Sequence, residues 1–212
     1  MHIVGPGRMR LLGPAELDAS SVVANNAMNR GRRLRGYSRE LGLDLAATLS
    51  GKTWLDLCCG EGHALAEGAL LGADVIGVDL VDHFAVPPGK GLELVVASIP
   101  GWQPGREFDL VTVVHGLHYL GDKLKVLADI AGWLTEHGRF VANFDVASVE
   151  AGSRRKLLAA LRSQGFGYDP RNRRISRTGP AVVELPYEYL GADDTAGPNY
   201  TGQPAVVSHY RA

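Results

Sequence analysis

Residues 55–62 read Leu-Asp-Leu-Cys-Cys-Gly-Glu-Gly, a short apolar run that ends in a Gly-x-Gly turn. Glycine permits a left-handed backbone and leaves no Cβ between the main chain and a ligand. A helix that follows such a turn offers unpaired N–H groups, which suit an anionic or carboxylate-bearing ligand. The stretch therefore predicts a buried strand, a ligand-binding loop and a helix, in that order.

Short apolar runs recur along the chain at residues 54–58, 74–78, 92–96, 110–114 and 139–142. Because stretches with helical periodicity separate these runs, they predict five parallel strands of a Rossmann-like, doubly wound α/β sheet. The stretch after Asp122 has one apolar face and predicts the helix between the fourth and fifth strands.

The flanks of this core have a different pattern. Upstream we expect a helix from Gly13 toward Met28, a second over residues 38–49, and between them an arginine-rich joint, residues 29–39, that forms a lid. Downstream we expect a helix over residues 149–164 and antiparallel strands added to the sheet at residues 181–185, 187–190 and 205–210. This predicts one domain of three parts: a helical lid region 1–50, a ligand-binding core 51–145 and the rest of the sheet 146–212.

Composition restricts the partners and the compartment. The chain has 212 residues and a formal net charge of -1, which gives no field that would concentrate nucleic acid or an anionic membrane. The two cysteines are adjacent and cannot form a disulfide framework, and we find neither a secretory signal nor a run of membrane-spanning length. We therefore expect a cytoplasmic protein with no nucleic-acid or membrane partner.

The second apolar run ends at Asp79, 79 − 56 = 23 positions after Asp56. A carboxylate there can accept both ribose hydroxyls, in a nicotinamide site or in an adenosylmethionine site. The dinucleotide fingerprint has a third glycine where this chain has Leu65, and the Asp56 carboxylate would repel a pyrophosphate. Asp56 better suits the amino group of a methionine moiety.

These segments resemble class I S-adenosylmethionine-dependent methyltransferases over about residues 54–145. Residues 55–62 resemble the first motif of that family, and residues 77–80, Gly-Val-Asp-Leu, resemble the second. The resemblance implies S-adenosylmethionine as the cofactor. It also implies the following cofactor contacts: Cys58, Gly60 and Gly62 in the loop, Asp79 on the ribose, Leu80 on the adenine, and Ser98 with Ile99 after the third strand. Ser98 stands where these enzymes often have an aspartate.

Residues 108–119 resemble the fourth motif of the family, whose carboxyl end reaches both the cofactor and the methyl acceptor. His115 and His118 are candidate general bases, because imidazole titrates near neutral pH. His115 is also a candidate cofactor contact, and Tyr119 a candidate acceptor contact. The alternative is that the two histidines only satisfy neighbouring main-chain groups. Methyl transfer from a sulfonium needs no metal, and we predict none.

Four further positions are candidates for binding. Arg35 and Tyr37 are our choices in the arginine-rich joint, where a guanidinium can clamp the cofactor carboxylate. Asn143, at the end of the fifth strand, and Tyr200, in a glycine-rich loop, are candidate acceptor contacts. Solvated charge and a surface turn are the alternatives. A second cluster, Arg171, Arg173, Arg174 and Arg177, is expected in an exposed hairpin without a function.

The predicted activity is transfer of a methyl group from S-adenosylmethionine to an O, N or C atom of a small molecule, such as a natural-product intermediate. His-Gly-Leu-His-Tyr stands after the fourth strand in place of an Asn-Pro-Pro-Tyr-type signature, which points away from nucleic-acid bases and protein side chains. The main alternative is a protein of the same fold that binds the cofactor for other chemistry, as a pericyclase, a hydrolase or a regulatory binder. A nicotinamide-dependent reductase is a minor third possibility.

Overall fold

A computed structural model describes residues 10–24 and 31–212. Within these residues, a seven-stranded sheet has the order β3-β2-β1-β4-β5-β8-β7. Its strands are β1 (Thr53–Leu57), β2 (Asp74–Asp79), β3 (Leu92–Val96), β4 (Phe108–Val113), β5 (Leu134–Asn143), β7 (Gly167–Asp169) and β8 (Arg174–Thr178). The first five are parallel, which confirms the predicted Rossmann-like core, and β8 joins β5 in the antiparallel direction.

Helices cover both faces of the sheet, and their apolar sides form two core clusters with the strands. They are α1 (Pro14–Asp18), α2 (Leu34–Leu41), α3 (Leu45–Thr48), α4 (His63–Leu70), α5 (Lys123–Gly132) and α6 (Arg154–Ser163). The predicted helix after Asp122 is α5, and the Asp122 side chain caps it by accepting from Lys125 N at 3.1 Å. None of the helices in the described ranges is long and apolar enough to cross a membrane.

The N-terminal helices differ from the prediction in their bounds. The helix predicted over residues 38–49 is two helices, because Gly42 has a φ of +65° and ends α2 with a left-handed cap. α2 begins at Leu34, inside the predicted joint. α1 ends at Asp18, far short of Met28, and residues 25–30, including Arg30, lie outside the described residues.

The C-terminal strands were assigned to the wrong sheet. Residues 181–185 form no strand, because β8 already occupies the edge of β5 that they would pair with. The runs at 187–190 and 205–210 become β9 (Glu188–Asp193) and β10 (Val207–Arg211), which form a separate three-stranded sheet with β6 (Val149–Glu150). Because β6 takes residues 149–150, the predicted helix over 149–164 begins only after Ser153, its N-cap.

A buried lysine fastens this small sheet to the core. Lys123 is fully buried, and its Nζ donates to the carbonyl oxygens of Leu120 and Val206, both at 2.9 Å, and to Ser208 Oγ at 2.8 Å. In addition, Val206 N donates to the carbonyl oxygen of His118 at 2.8 Å. The start of β10 is therefore held against the turn that carries His118.

Replacing Lys123 by Met should lower the free energy of unfolding by about 2–4 kcal/mol, because the buried acceptors lose their donor. Burial lowers the pKa of Lys123 to about 7, from an ordinary value of 10.5. Between these values the unfolded chain binds a proton that the folded chain does not, so this lysine makes stability rise with pH across that window. Urea unfolding at several pH values should show that the difference between wild type and variant grows with pH.

The matched control is Lys125→Met, since Lys125 is exposed and pairs only with Asp129 on its own helix. Its loss should cost less than about 0.5 kcal/mol. Equal stabilities of the two variants would contradict the assignment of Lys123 as the fastener of the small sheet.

Candidate active site

The carboxyl ends of four parallel strands bring the sequence-predicted residues to one edge of the sheet. The loop after β1 holds Gly60, β2 ends at Asp79, His115 follows β4, and β5 ends at Asn143. Asp79 Oδ2 accepts from Gly60 N at 2.8 Å, and its Oδ1 accepts from Val81 N at 3.2 Å. The loop and the second-strand carboxylate thus form one unit, as expected from the sequence. Burial raises the pKa of Asp79.

Gly62 serves packing of the protein itself. Its φ is +80°, and a Cβ there would lie 2.9 Å from Val86 Cγ2. The main chain of the same segment contacts the loop, since Ala85 N donates to the carbonyl oxygen of Glu61 at 3.0 Å. The absent side chain therefore leaves room for the segment after β2. The contact of Gly62 with a cofactor stays a prediction.

In the loops after β1 and β4, two residues other than glycine have left-handed backbones, Cys58 with a φ of +57° and His115 with a φ of +59°. Such conformations cost about 1–3 kcal/mol each and concentrate at functional sites. The two loops interlock, because a Cβ on Gly116 would lie 2.4 Å from Cys58 Cβ and 2.6 Å from its Sγ. Burial raises the pKa of the Cys58 thiol, as expected for inert packing.

Replacing Gly116 by Ala should therefore destabilise the protein by about 1–3 kcal/mol. Adding Cys58→Gly should recover part of this loss, with a coupling energy of at least about 0.5 kcal/mol, because it removes the atoms nearest to the new methyl group. Thermal unfolding of the two single variants and the double variant measures the coupling. Gly132→Ala is the control, since a Cβ there meets nothing within 4 Å; strict additivity of the first pair would refute the interlock.

Asp56 does not face a ligand, which corrects its assignment to the methionine amino group. The residue is fully buried, and both of its oxygens accept hydrogen bonds within the protein. Tyr37 Oη donates to Oδ2 at 2.9 Å, and Thr112 Oγ1 donates to Oδ1. Trp54 Nε1 in turn donates to Thr112 Oγ1 at 2.8 Å. Burial raises the pKa of Asp56 to about 7. This network joins α2 to β1 and β4.

The arginine-rich joint contacts the site through Arg32, not through Arg35. Arg35 is exposed and lines an outer groove with Leu70 and Leu71, because positions two apart on a helix face different sides and Tyr37 faces inward. Arg32 Nη1 lies 3.2 Å from Glu40 Oε1 and contributes to lowering the pKa of His115. Tyr37 is buried beneath the site as the partner of Asp56, so it does not line the cofactor space.

Glu40 is a site residue that the sequence analysis missed. Its Oε2 lies 3.3 Å from His115 Nε2, and its Oε1 contacts Arg32. The signal was present in the sequence, since Glu40 stands three positions after Tyr37 and so shares the inward face of α2. The predicted helix began at residue 38 and so excluded Tyr37, which is why the shared face of Tyr37 and Glu40 was missed.

Two neighbours, Asn143 and Glu40, contact His115. Its main-chain N–H donates to Asn143 Oδ1 at 3.2 Å, its Nε2 faces Glu40, and its Nδ1 has no hydrogen-bond partner within residues 10–24 and 31–212. Burial and Arg32 lower the pKa of His115, while Glu40 raises it. At neutral pH the imidazole is therefore uncharged, with one nitrogen facing a carboxylate and the other available.

His118 lies beside His115, with the ring centroids 5.8 Å apart. It is fully buried, and neither ring nitrogen has a hydrogen-bond partner among the described residues. Burial, together with the charges of His115, Lys123 and Arg173, lowers the pKa of His118 to about 3. Such an imidazole is too weak a base to take a proton at neutral pH, so only His115 keeps the role predicted for both.

Of the remaining predicted residues, Tyr200 contacts this pair. Tyr200 packs against His118 with a centroid distance of 5.3 Å and an interplanar angle of 79°. Tyr119 is half-buried beside Cys58, and burial raises its pKa to about 12. Leu80 and Ser98 are half-buried after β2 and β3, whereas Ile99 packs within the main core.

Comparison with known proteins identifies the family. A family model described as a methyltransferase domain matches residues 28–177, which is more than half of the chain. The chain is a member of the methyltransferase family. A search of curated protein sequences finds no match.

Two solved structures illustrate the similarity of this methyltransferase to others. The N-methyltransferase NodS from Bradyrhizobium japonicum, in complex with S-adenosylhomocysteine, is 13% identical with a TM-score of 0.51, over 79% of this chain and 98% of that chain. The 1,6-didemethyltoxoflavin-N1-methyltransferase from Burkholderia thailandensis is 18% identical with a TM-score of 0.52, over 85% and 99%. The predictions of a Rossmann-like fold, of an S-adenosylmethionine-dependent methyltransferase and of its cofactor are confirmed.

Proposed function

We propose that this methyltransferase methylates an oxygen or nitrogen atom of a small molecule, and that His115 accepts the proton of the acceptor. One observation carries the proposal: His115 has a buried Nδ1 without a partner among the described residues, while Glu40 supports the opposite nitrogen. Carbon, which the sequence left open, fits less well, because oxygen and nitrogen nucleophiles carry the exchangeable protons that a neutral imidazole removes.

The residues at the sheet edge fit the cofactor. Each Asp79 oxygen accepts one main-chain N–H and keeps a lone pair for a ribose hydroxyl. Leu80, the residue after Asp79, can pack on the adenine, and Ser98 can accept a hydrogen bond from the adenine amine. The loop around Gly60 leads into α4. Arg32 replaces Arg35 as the arginine for the cofactor carboxylate. When bound, S-adenosylmethionine supplies a methyl group activated by its sulfonium charge.

The protein then has three tasks, which are to orient the acceptor, to exclude water and to receive a proton. The Glu40 carboxylate favours the His115 tautomer with its proton on Nε2, which leaves the Nδ1 lone pair for the acceptor. As Nδ1 gains the proton, Glu40 stabilises the imidazolium that forms. Asn143 fixes the main chain of His115, so that the ring holds its direction.

His118, Tyr119 and Tyr200 are proposed to bind the acceptor. A neutral imidazole has one donor and one acceptor nitrogen, so His118 can hydrogen-bond a polar edge of the acceptor without taking its proton. One of the two structural relatives supports a small acceptor, since its name specifies methylation of didemethyltoxoflavin at N1. We therefore propose a small molecule, not a macromolecule, as the acceptor.

Glu40→Gln tests the arrangement without an identified acceptor. Because the Glu40 carboxylate raises the pKa of His115, the variant should lower that pKa further and reduce the preference for the tautomer protonated on Nε2. Titration of the ring by nitrogen-15 and proton NMR reports both quantities. Glu67→Gln is the control, because Glu67 contacts Arg33 and Leu34 at the start of α2 and has no contact with His115. An unchanged His115 titration in Glu40→Gln would refute the role of Glu40.

A further inference from the structure

Arg173 is set into the site by an unusual main chain. It lies in the hairpin between β7 and β8, has a φ of +47°, and accepts from Phe144 N through its carbonyl oxygen at 2.7 Å. Phe144 directly follows β5, so the hairpin tip is fixed at the carboxyl edge of the sheet. This arginine is one of the four that the sequence predicts in an exposed hairpin without a function, and a left-handed backbone is uncommon for a residue with a side chain.

The side chain of Arg173 lies over the ring of Tyr200, one of the proposed acceptor contacts. Its guanidinium carbon is 4.1 Å from the centroid of the Tyr200 ring. Its nearest charged partner is Asp145, with 3.9 Å between Nη1 and Oδ2, and the guanidinium donates no hydrogen bond to the described part of the chain. Asp145 Oδ1 meanwhile accepts from Ala147 N at 3.1 Å. Guanidinium donors aligned by a stacked ring suit a planar anionic group.

Tyr200 belongs to a cluster of three aromatic rings with His118 and His115. His118 contacts Tyr200 edge to face, and His115 lies 5.8 Å from His118 and 6.5 Å from Tyr200 between centroids. Because these rings contact one another, they present a joined aromatic surface, on which a flat ring packs better than a flexible chain. His118 adds two unpartnered nitrogens, and Arg173 contributes positive charge at that imidazole.

We propose that the methyl acceptor is a flat aromatic or heteroaromatic compound with an anionic group such as a carboxylate, which Arg173 binds while the ring packs against Tyr200, His118 and His115. This inference rests on the proposed function and specifies its substrate class. The ring supplies the O–H or N–H that is methylated, and the anionic group sets its orientation. Arg173 is thus a specificity-determining residue.

Matched pairs of probes test this without knowledge of the natural acceptor. The probes are 4-hydroxybenzoate with 4-hydroxybenzamide and indole-3-carboxylate with indole-3-carboxamide, which differ in charge but hardly in shape. Competition binding by ligand-observed NMR, on protein saturated with S-adenosylhomocysteine, gives their relative affinities. We expect each carboxylate to bind at least about tenfold more tightly than its amide, as for a charge-assisted bidentate contact.

Two arginine variants test whether Arg173 causes the preference for the carboxylates. Arg173→Gln should abolish the preference for the carboxylates, and Gln has no greater difficulty than Arg with a left-handed backbone. Arg171→Gln, at an exposed position of the same hairpin, should keep the preference. Two variants of Tyr200 test the contact with the aromatic ring of the probe. Tyr200→Phe should retain binding of the carboxylates, and Tyr200→Leu should weaken it several-fold.

Equal affinity within each pair, no binding of any probe, or a preference that survives Arg173→Gln would each overturn the proposal. Calorimetry with S-adenosylhomocysteine on the same samples separates a failure of the acceptor class from a failure of the proposed function. Cofactor binding without probe discrimination overturns only the assignment of the acceptor class. Absence of cofactor binding overturns the proposed function as well.

Discussion

Replacing His115 by Asn should lower kcat by about 10²–10⁴-fold, the usual contribution of a general base. Asparagine is the informative choice, because it tolerates the left-handed backbone, with a φ of +59°, better than other side chains. The hydrogen bond from the main-chain nitrogen of residue 115 to Asn143 Oδ1 does not depend on the ring. The fold and the cofactor site should therefore survive while the proton acceptor is lost.

The assay uses S-adenosylmethionine with a carbon-13 methyl group and a panel of phenols and heteroaromatic N–H compounds, with labelled products measured by mass spectrometry. S-adenosylhomocysteine affinity should stay within about twofold of wild type, since the loss concerns only the transition state. His137→Asn, at an exposed position in β5, is the control and should keep full activity. A His115→Asn enzyme with wild-type kcat would show that the proton leaves by another route.

Replacing Asp79 by Ala should weaken S-adenosylhomocysteine binding by at least about 10²-fold. Hydrogen bonds to a charged group contribute about 1.5–3 kcal/mol each, and the variant loses the acceptor for ribose together with the carboxylate that holds the loop through Gly60. Asp79→Asn isolates the ribose contact, because its carbonyl oxygen can still accept from Gly60 N. It should weaken binding by a smaller factor, about tenfold.

Melting temperature distinguishes lost affinity from a lost fold. Both Asp79 variants should unfold cooperatively, and added S-adenosylhomocysteine should raise their melting temperature less than that of wild type. Unchanged affinity in Asp79→Ala would remove the carboxylate from the cofactor site and leave the similarity of residues 77–80 to the second motif without functional meaning.

The five parallel strands were predictable from the sequence because each follows from a local pattern. Each of the five parallel strands is a short apolar run, and the residues proposed to contact the cofactor, Gly60 and Asp79, lie within two positions of the end of two of these runs. Since the carboxyl ends of parallel strands share one edge, position in sequence fixes position in space. The histidine after β4 could be found by the same argument.

Residues on α2 could not be assigned in this way, because their directions depend on helical phase. Moving the start of the helix to Leu34 turns Tyr37 and Glu40 inward and leaves Arg35 outside. Asp56 and Tyr37 are 19 positions apart in the sequence, and no local pattern predicts their hydrogen bond. An aspartate that looked like a ligand for the cofactor is thus a support for the helix above it.

The C-terminal third was the least predictable part. Residues 181–185 have the alternation of a strand, but a strand also needs a free edge, and competition for the edge of β5 is decided by β8. Lys123 shows the same dependence on context, since a lysine in the first turn of a helix is usually solvated, whereas here it is enclosed by the start of β10.

The most direct test of the central claim is a calorimetric titration of the wild-type protein with S-adenosylhomocysteine and, separately, with NADH. The account predicts saturable binding of S-adenosylhomocysteine at one site per chain and no heat of binding from NADH, because Leu65 stands where a dinucleotide site has glycine. Binding of NADH with no response to S-adenosylhomocysteine, in protein that unfolds cooperatively, would contradict it.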